Sequence, residues 1–253
     1  MIDTHAHLNI KEFSTQINEI LNRAKAQGVK KIIVIGMDEE TNEIAVRLAE
    51  QYQMLYASVG IHPGYVENGE TQSIIKWLKH PKVVAIGECG IDLYWNRDNF
   101  DLQKKIFIEQ IELAKEYKLP LIIHTRNSFT EAYDCLLPYK NTVTGVFHCF
   151  SSSLEDAKKA IDLNFYLGVD GPITFPKSTE LRELVEAIDL KHWLIETDSP
   201  YLAPVPYRGK KNEPSNLKFV AQSVADVKKT SLMEVVDRTT NNAYQLFKFG
   251  GRA

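Results

Sequence analysis

Asp3-Thr4-His5-Ala6-His7 follows an apolar start and places two histidines two positions apart. In a β-strand, side chains at positions i and i+2 point to the same side, so both imidazole rings would face one point. On a helix the same two side chains would diverge by roughly 200°. Because neutral imidazole is the commonest metal ligand in proteins, the stretch predicts a metal-binding strand. A chance pair of histidines on an exposed strand is the alternative.

Short apolar runs rich in β-branched residues recur along the rest of the chain and leave room for a helix between them. With the first stretch they predict strands over residues 1–7, 31–36, 55–60, 83–87, 121–124, 143–148, 165–169 and 193–196. Apolar residues three or four positions apart predict helices over residues 12–27, 40–51, 100–117, 153–163 and 179–188. Strand and helix thus alternate, and continuous apolar runs are typical of buried parallel strands.

Such alternation occurs both in a (β/α)8 barrel and in a doubly wound open sheet. Residues that can bind metal lie at or just beyond the carboxyl ends of the predicted strands: His7, His62, Glu88, His124, His148 and Asp198. In a barrel these ends converge on one mouth, whereas in an open sheet only the ends near the switch point meet. We therefore expect an α/β fold of the TIM (β/α)8 barrel class, with a metal site at the C-terminal mouth of the strands. The open sheet is the alternative.

The bulk composition is that of an ordinary globular protein, with 253 residues, 44% of them hydrophobic and 25% charged. No segment resembles a linker, so one domain over residues 1–253 is expected. The net charge of −3 neither predicts nor excludes a nucleic-acid substrate. The three cysteines lack the spacing of a zinc knuckle or a disulfide framework. No membrane span or signal peptide is recognisable, which predicts a cytoplasmic location without a membrane partner.

The candidate ligands carry a specific chemical expectation. Four histidines and two carboxylates at one mouth are too many for one four-coordinate zinc ion and suit two divalent ions with a shared carboxylate or water. Glu88 is the expected bridge because Gly87 and Gly90 would let backbone and ions approach closely. An ordinary strand-end carboxylate paired with a base is the alternative. Asp198 is placed to accept a proton from metal-bound water, and Glu196 is either its supporting partner or a paired inward charge.

The ordered motifs of the whole chain resemble those of one family. They are DTHAH at residues 3–7, GIHPG at 60–64, GECGIDLYW at 87–95, IHTR at 123–126, HCFS at 148–151, ETDSPYLAP at 196–204 and RGKKNEP at 208–214. Each string alone is weak, but the set resembles the TatD-type metal-dependent hydrolases, which are TIM-barrel phosphodiesterases and deoxyribonucleases of the amidohydrolase superfamily. One visible departure is Ser152, which stands where the family commonly has glycine after HCFS.

The resemblance implies a ligand set and a reaction. It implies that one ion is held by His5, His7, Glu88 and Asp198 and a second by Glu88, His124 and His148, with Glu88 bridging. Many relatives in the superfamily have a carbamylated lysine as the bridge, so the glutamate favours the TatD-type branch. The implied activity is cleavage of phosphodiester bonds in DNA, as a 3'-5' exonuclease acting on single-stranded ends. Zinc, manganese, magnesium, cobalt and nickel all remain open as the metal.

Several further residues are expected around the substrate. The resemblance places His62 at the mouth, where it would contact phosphate or act as an acid, and a histidine held there by its turn is the alternative. Arg126 and Arg208 can bind phosphate in a fork. Lys210 and Lys211 add positive charge, the alternative being a solvated loop. The aromatic residues Tyr94, Trp95 and Tyr201 could stack on bases, although packing is the more ordinary role of aromatics at a barrel rim.

Two other functions compete with the nuclease. The same barrel and metals could cleave a small amide, ester or lactone, or an aminoacyl ester. A degenerate barrel kept as a binding module is the third hypothesis, and it predicts missing ligands. None of the expected ligand types is missing from the sequence, so this hypothesis ranks last. No obligate protein partner is indicated.

Overall fold

The computed structural model describes residues 1–250, so the last three residues of the predicted domain lie outside the described part. The strands form one parallel sheet in chain order. They are β1 (Ile2–Ala6), β2 (Lys31–Ile35), β3 (Leu55–Val59), β4 (Val83–Asp92), β5 (Leu121–Arg126), β6 (Gly145–Phe147), β7 (Phe165–Val169) and β8 (Trp193–Ile195).

The sheet closes between its first and last strands. Ala6 pairs in parallel with Ser199, just beyond β8. The His7 N–H donates to the Ser199 carbonyl at 2.8 Å, and the Asp198 N–H donates to the His5 carbonyl at 2.9 Å. The predicted (β/α)8 barrel is therefore confirmed, and the open doubly wound sheet is wrong.

Helices follow the strands around the barrel. They are α1 (Ile17–Ala26), α2 (Glu39–Gln51), α3 (Gln72–Ile75), α4 (Phe100–Tyr117), α5 (Phe129–Leu136), α6 (Leu154–Asp162), α7 (Thr179–Ala187), α8 (Leu217–Lys228) and α9 (Leu232–Phe247). The predicted helix over 12–27 begins later because Lys11–Phe13 forms a separate 3-10 turn. A capping box between Asp38 and Thr41 fixes the start of α2. None of the helices within residues 1–250 is long and apolar enough to cross a membrane.

The centre of the barrel has an apolar floor. One cluster joins inward side chains of the strands to the last turns of α9, and includes Ile2, Ile33, Ile35, Tyr56, Val84, Ile122, Val146, Leu194, Leu246 and Phe247. A larger cluster fills the space between strands and helices. Helix α9 thus covers the amino-terminal end of the barrel, and the polar residues are left to the carboxyl end.

Strand β4 is longer than predicted and carries two acidic residues instead of ending before them. It continues past Glu88 to Asp92 and pairs with β5 along this extension. Gly87 and Gly90 have φ values of +150° and +139°, and a Cβ atom would lie 2.6 Å from the Ile122 carbonyl oxygen and 2.1 Å from the His124 carbonyl oxygen. The glycines therefore serve the close approach of two backbones. We also expected these glycines to let ions approach closely. Their positions face the backbone of β5, so its close approach alone accounts for them.

Candidate metal centre

The six side chains expected to bind metal lie together at the carboxyl end of the barrel. His5 lies in β1 and His124 in β5, while the others lie in β4 or just after β1, β6 and β8: Glu88, His7, His148 and Asp198. All are buried or nearly so. Glu88 is the hub, because its two oxygens face different histidines. The barrel thus brings together donors that are up to 193 positions apart in sequence, from His5 to Asp198.

The first group of donors surrounds Glu88 Oε2. His5 Nε2 lies 3.4 Å and His7 Nε2 3.8 Å from this oxygen. Asp198 Oδ1 lies 3.6 Å from His5 Nε2 and 3.4 Å from His7 Nε2, and the two Nε2 atoms are 3.3 Å apart. Tetrahedral zinc with ligand distances of about 2.0–2.1 Å requires donors about 3.4 Å apart. These four side chains therefore have the spacing that one divalent ion needs.

The second group surrounds Glu88 Oε1. His124 Nδ1 and His148 Nε2 each lie 2.9 Å from this oxygen, and the two nitrogens are 3.4 Å apart. Three protein donors leave a coordination position open for water or substrate, as in catalytic sites. His5 and His148 also stack, with ring centroids 4.0 Å apart. A single carboxylate thus offers one oxygen to each of two groups of donors.

The electrostatics keep both carboxylates ionised. Burial alone would raise the pKa of Glu88, but His148, His62, His5 and His124 hold it well below its usual range. Burial likewise opposes ionisation of Asp198, and the hydrogen bond and charge of His7, with that of His5, lower its pKa. Four imidazoles crowded around one carboxylate have few other partners, and Nδ1 of His5, His7 and His148 makes no hydrogen bond within the described structure. Metal binding suits this donor set.

His62 lies beside the second group, on the loop after β3. Its Nε2 is 3.6 Å from Glu88 Oε1, and its ring packs against that of His124 at 4.5 Å. The Gly64 N–H donates to His62 Nδ1 at 3.0 Å, so the neutral ring carries its proton on Nε2. Burial lowers the pKa of His62 to about 3. In this tautomer the side chain presents an N–H donor to the mouth. The ligand atoms of His62, Glu88 and His124 also lie close enough together to hold a metal ion.

Buried acidic residues lie beneath the ligands. Glu196 accepts a hydrogen bond from the Cys149 N–H at 2.7 Å and another from the Thr4 hydroxyl at 3.2 Å, and lies 3.8 Å from His148 Nδ1. Burial and the nearby Asp170 raise the pKa of Glu196 well above its usual value. Glu196 is therefore a buried, hydrogen-bonded carboxyl group, and it contacts His148 and Cys149, which follow β6.

Sequence reasoning missed Asp92. Its Oδ2 accepts a hydrogen bond from His124 Nε2 at 2.9 Å, on the side of the ring away from Glu88. The signal was its position four residues after Glu88, which places both on one face of an extended strand. The strand was predicted to end at residue 87, so this periodicity was not applied.

The expected substrate residues fall into two places. The Arg126 guanidinium lies over the Tyr94 ring at 3.9 Å and near the Trp95 ring at 5.3 Å, at the end of β5 close to His124. The Tyr201 ring meets His7 edge-on at 5.8 Å. Tyr201 therefore borders the candidate metal centre, while Tyr94 and Trp95 lie with Arg126 at the end of β5.

Arg208 instead packs over Phe175 at 4.5 Å. Lys210 and Lys211 line a surface depression with Arg23 and Lys218, whose described lining includes none of the metal candidates. The loop that carries them therefore adds charge beside α1 and α8. The Ser152 hydroxyl donates to the carboxylate of Asp156 in the first turn of α6, while the neighbouring Ser153 caps that helix by accepting from the Asp156 N–H.

Comparison with known proteins places the chain in a family. The family model of TatD-related DNases matches residues 2–248. YabD, an uncharacterized metal-dependent hydrolase of Bacillus subtilis, is 42% identical over 254 residues, which cover 98% of this chain and 99% of that protein. The crystal structure of YjjV, a TatD homologue from Escherichia coli K12, has a TM-score of 0.92 at 34% identity and covers 98% of both chains.

A more distant structure agrees in fold. A TatD family hydrolase from Entamoeba histolytica has a TM-score of 0.85 at 24% identity, covering 98% of this chain and 97% of that one. The family model and YabD both match nearly the whole chain. The side chains that could hold a metal ion lie within the matched residues. The chain is thus a metal-dependent hydrolase and belongs to the TatD-related DNase family.

Proposed function

We propose that this protein is a two-metal phosphodiesterase that acts on DNA, as a 3'-5' exonuclease on single-stranded ends. The observation that supports two metal ions is that the two carboxylate oxygens of Glu88 face different pairs of histidines. Oε2 faces His5 and His7, and Oε1 faces His124 and His148. The choice of DNA rests on the family. One domain, with one centre, carries the activity.

Each ligand has a proposed place. His5, His7, Glu88 and Asp198 would hold one ion, and Glu88, His124 and His148 the other. Divalent ions bound there would supply an activated water and stabilise charge on the phosphoryl and leaving oxygens. Histidine-rich ligation favours zinc, manganese, cobalt or nickel over magnesium.

The remaining chemistry belongs to the protein. Asp198 Oδ1 faces His5 and His7, which leaves Oδ2 to accept the proton of the attacking water. The Nε2–H of His62 donates a hydrogen bond to the phosphate. Arg126 adds positive charge at the same mouth, and Arg208 binds more distant phosphate of a longer strand.

The deciding experiment uses 5'-labelled single-stranded DNA. The protein is stripped with chelator, supplied in turn with zinc, manganese or magnesium, and compared with Glu88→Ala and with Glu116→Ala, an exposed glutamate on α4. We expect a descending ladder for the wild type and for Glu116→Ala, and none for Glu88→Ala. Release of labelled mononucleotide as the first product would indicate the opposite polarity.

The same samples test the competing reaction. A panel of chromogenic esters and lactones is assayed beside bis(p-nitrophenyl) phosphate, a small phosphodiester. DNA that stays intact with every metal, together with metal-dependent ester or lactone cleavage, would overturn the nuclease assignment in favour of a small-molecule hydrolase. Full metal content and full activity in Glu88→Ala would overturn the bridging role.

A further inference from the structure

Asp92 uses its two carboxylate oxygens for different purposes. It lies at the end of β4 and is only 4% exposed. Oδ2 accepts the hydrogen bond from His124 Nε2 at 2.9 Å. When His124 binds a metal as a neutral imidazole, donation from Nε2 to Asp92 leaves the lone pair on Nδ1, the nitrogen that lies 2.9 Å from Glu88 Oε1.

Oδ1 of Asp92 organises the adjoining turn. It accepts hydrogen bonds from the N–H groups of Tyr94 and Trp95, both at 2.9 Å. The side chain of Gln103 in α4 holds the Asp92 backbone from behind, accepting from its N–H at 2.8 Å and donating to its carbonyl at 3.1 Å. The carboxylate is therefore fixed between a strand, a turn and a helix.

The turn carries an exposed aromatic surface. Tyr94 is 54% and Trp95 74% exposed, and their rings meet edge to face at 5.1 Å. Arg126 covers the Tyr94 ring and is the residue of β5 that pairs with Asp92. We call Tyr94, Trp95 and Arg126 the aromatic platform. Exposed rings beside a guanidinium are the features that stack on the bases of single strands and bind their phosphates.

We propose that Asp92 is a positioning residue that sets the metal-binding tautomer of His124 and, through the same carboxylate, holds the aromatic platform as a base-stacking subsite beside the second metal position. The base-stacking role of the platform rests on the proposed function, whereas the effect of Asp92 on the tautomer of His124 rests only on metal binding. The ligand of the platform is the base nearest the cleaved phosphodiester in a single strand.

The variant Asp92→Asn distinguishes the roles of the two carboxylate oxygens, because it keeps one oxygen and replaces the other with an amide nitrogen. The amide oxygen remains to accept from the turn, so the amide nitrogen faces His124. That nitrogen can only donate, which forces His124 Nε2 to accept and moves the ring proton to Nδ1. Loss of such a supporting hydrogen bond weakens metal binding about 10–100-fold. We therefore expect Asp92→Asn to keep its platform and lose one of its two ions.

The experiment measures zinc content after equilibrium dialysis against buffered free zinc, with circular dichroism as the check of folding. Asp98→Asn is the matched control, because it makes the same charge change at an exposed position on the same loop. At a free zinc concentration just sufficient to saturate the wild type, we expect two ions per chain in the wild type and the control, and close to one in Asp92→Asn. Asp92→Glu, which still accepts from Nε2, should regain part of the second ion. Two ions bound by Asp92→Asn with wild-type affinity would overturn the tautomer role.

Trp95→Ala tests the platform. We expect unchanged zinc content and a KM for single-stranded DNA raised about 5- to 150-fold, which is the fold-change of one lost base stack. An unchanged KM for DNA, or loss of zinc, would overturn the platform assignment. If the wild type cleaves neither phosphodiester, the proposed function fails, and the dialysis result still decides the role of Asp92 toward His124.

Discussion

Asp198 and His5 are joined twice. The Asp198 N–H donates to the His5 carbonyl at 2.9 Å, which is one of the contacts that close the barrel, and Asp198 Oδ1 lies 3.6 Å from His5 Nε2 at the metal centre. Asp198 adopts a left-handed backbone with φ of +55°. A non-glycine residue in that region costs free energy and is typical of functional sites. The contact that closes the sheet therefore also places Asp198 and His5 together at the first candidate metal position.

Replacing Asp198 separates its two proposed roles. Asp198→Asn keeps an oxygen that can bind metal but loses the proton acceptor, so we expect kcat on bis(p-nitrophenyl) phosphate to fall about 10²–10⁴-fold. Bound zinc measured on the same sample should change little. A variant with wild-type kcat would show that another group accepts the proton.

His62 should act as a neutral donor. Because burial lowers its pKa to about 3, the ring does not titrate between pH 5 and 8, and His62→Ala should lower kcat/KM about equally at each pH in this range. The expected loss is about 10-fold or more, from one lost hydrogen bond to a charged oxygen. The measurement is the pH profile of both proteins on the small phosphodiester. If the substitution removed a limb of the profile, His62 would be a titrating acid instead.

Asp170 should make the metal-free protein less stable as the pH rises. Its carboxyl is buried beside Cys149, Glu196 and Asp198, and Oδ2 has no partner within the described structure. Burial, then the charge of Asp198, raises its pKa to about 8. Between about pH 4 and pH 8 the folded state holds a proton that the unfolded state has lost, so this group's contribution to stability decreases with increasing pH.

Asp170→Asn removes that dependence. Relative to the wild type, the variant should gain free energy of unfolding between pH 5 and pH 8.5, by about a few kcal/mol at most, since one pKa unit corresponds to about 1.4 kcal/mol. Urea unfolding in the presence of chelator measures it. Asp134→Asn, at an exposed position in α5, is the control. A variant whose stability follows the wild-type curve at every pH would contradict the prediction.

Gly90 should not tolerate a side chain. An added Cβ would lie 2.1 Å from the carbonyl oxygen of His124, and φ is +139°. We expect Gly90→Ala to destabilise the protein by at least about 3 kcal/mol, with loss of the second metal position through displacement of β5. Gly209→Ala is the control, because its φ is also positive, +82°, but the added Cβ meets nothing within 4 Å. Equal losses in the two variants would assign the effect to φ alone.

The sequence predicts those parts of the molecule whose signal is local. Buried parallel strands are continuous apolar runs, and the α4 helix over residues 100–117 has the predicted bounds. The six candidate ligands were recognised because each belongs to a short motif at a strand end. Their shared location then follows from barrel closure.

The parts that were missed depend on contacts distant in sequence. Residues 88–92 contain glycines and acids, which resemble a loop, and they are extended only because β5 pairs with them. Asp92 meets His124 across 32 positions. Asp170 lies at the end of β7, and only the packed barrel shows that its carboxyl is buried. No periodicity in a single segment contains these relationships.

The apolar cluster formed by the strands and α9 fills the amino-terminal end of the barrel, so the candidate metal centre is reached from the carboxyl end of the strands. Under the proposed function, metal ions, water, single-stranded DNA and products would all enter and leave through that end. Single-stranded DNA bound across the carboxyl end of the barrel would shield the ions beneath it from solvent and from chelators. Under the proposed function, ions would then exchange mainly between turnovers, so the protein would keep its metals longer while it cleaves DNA than while it is free of substrate.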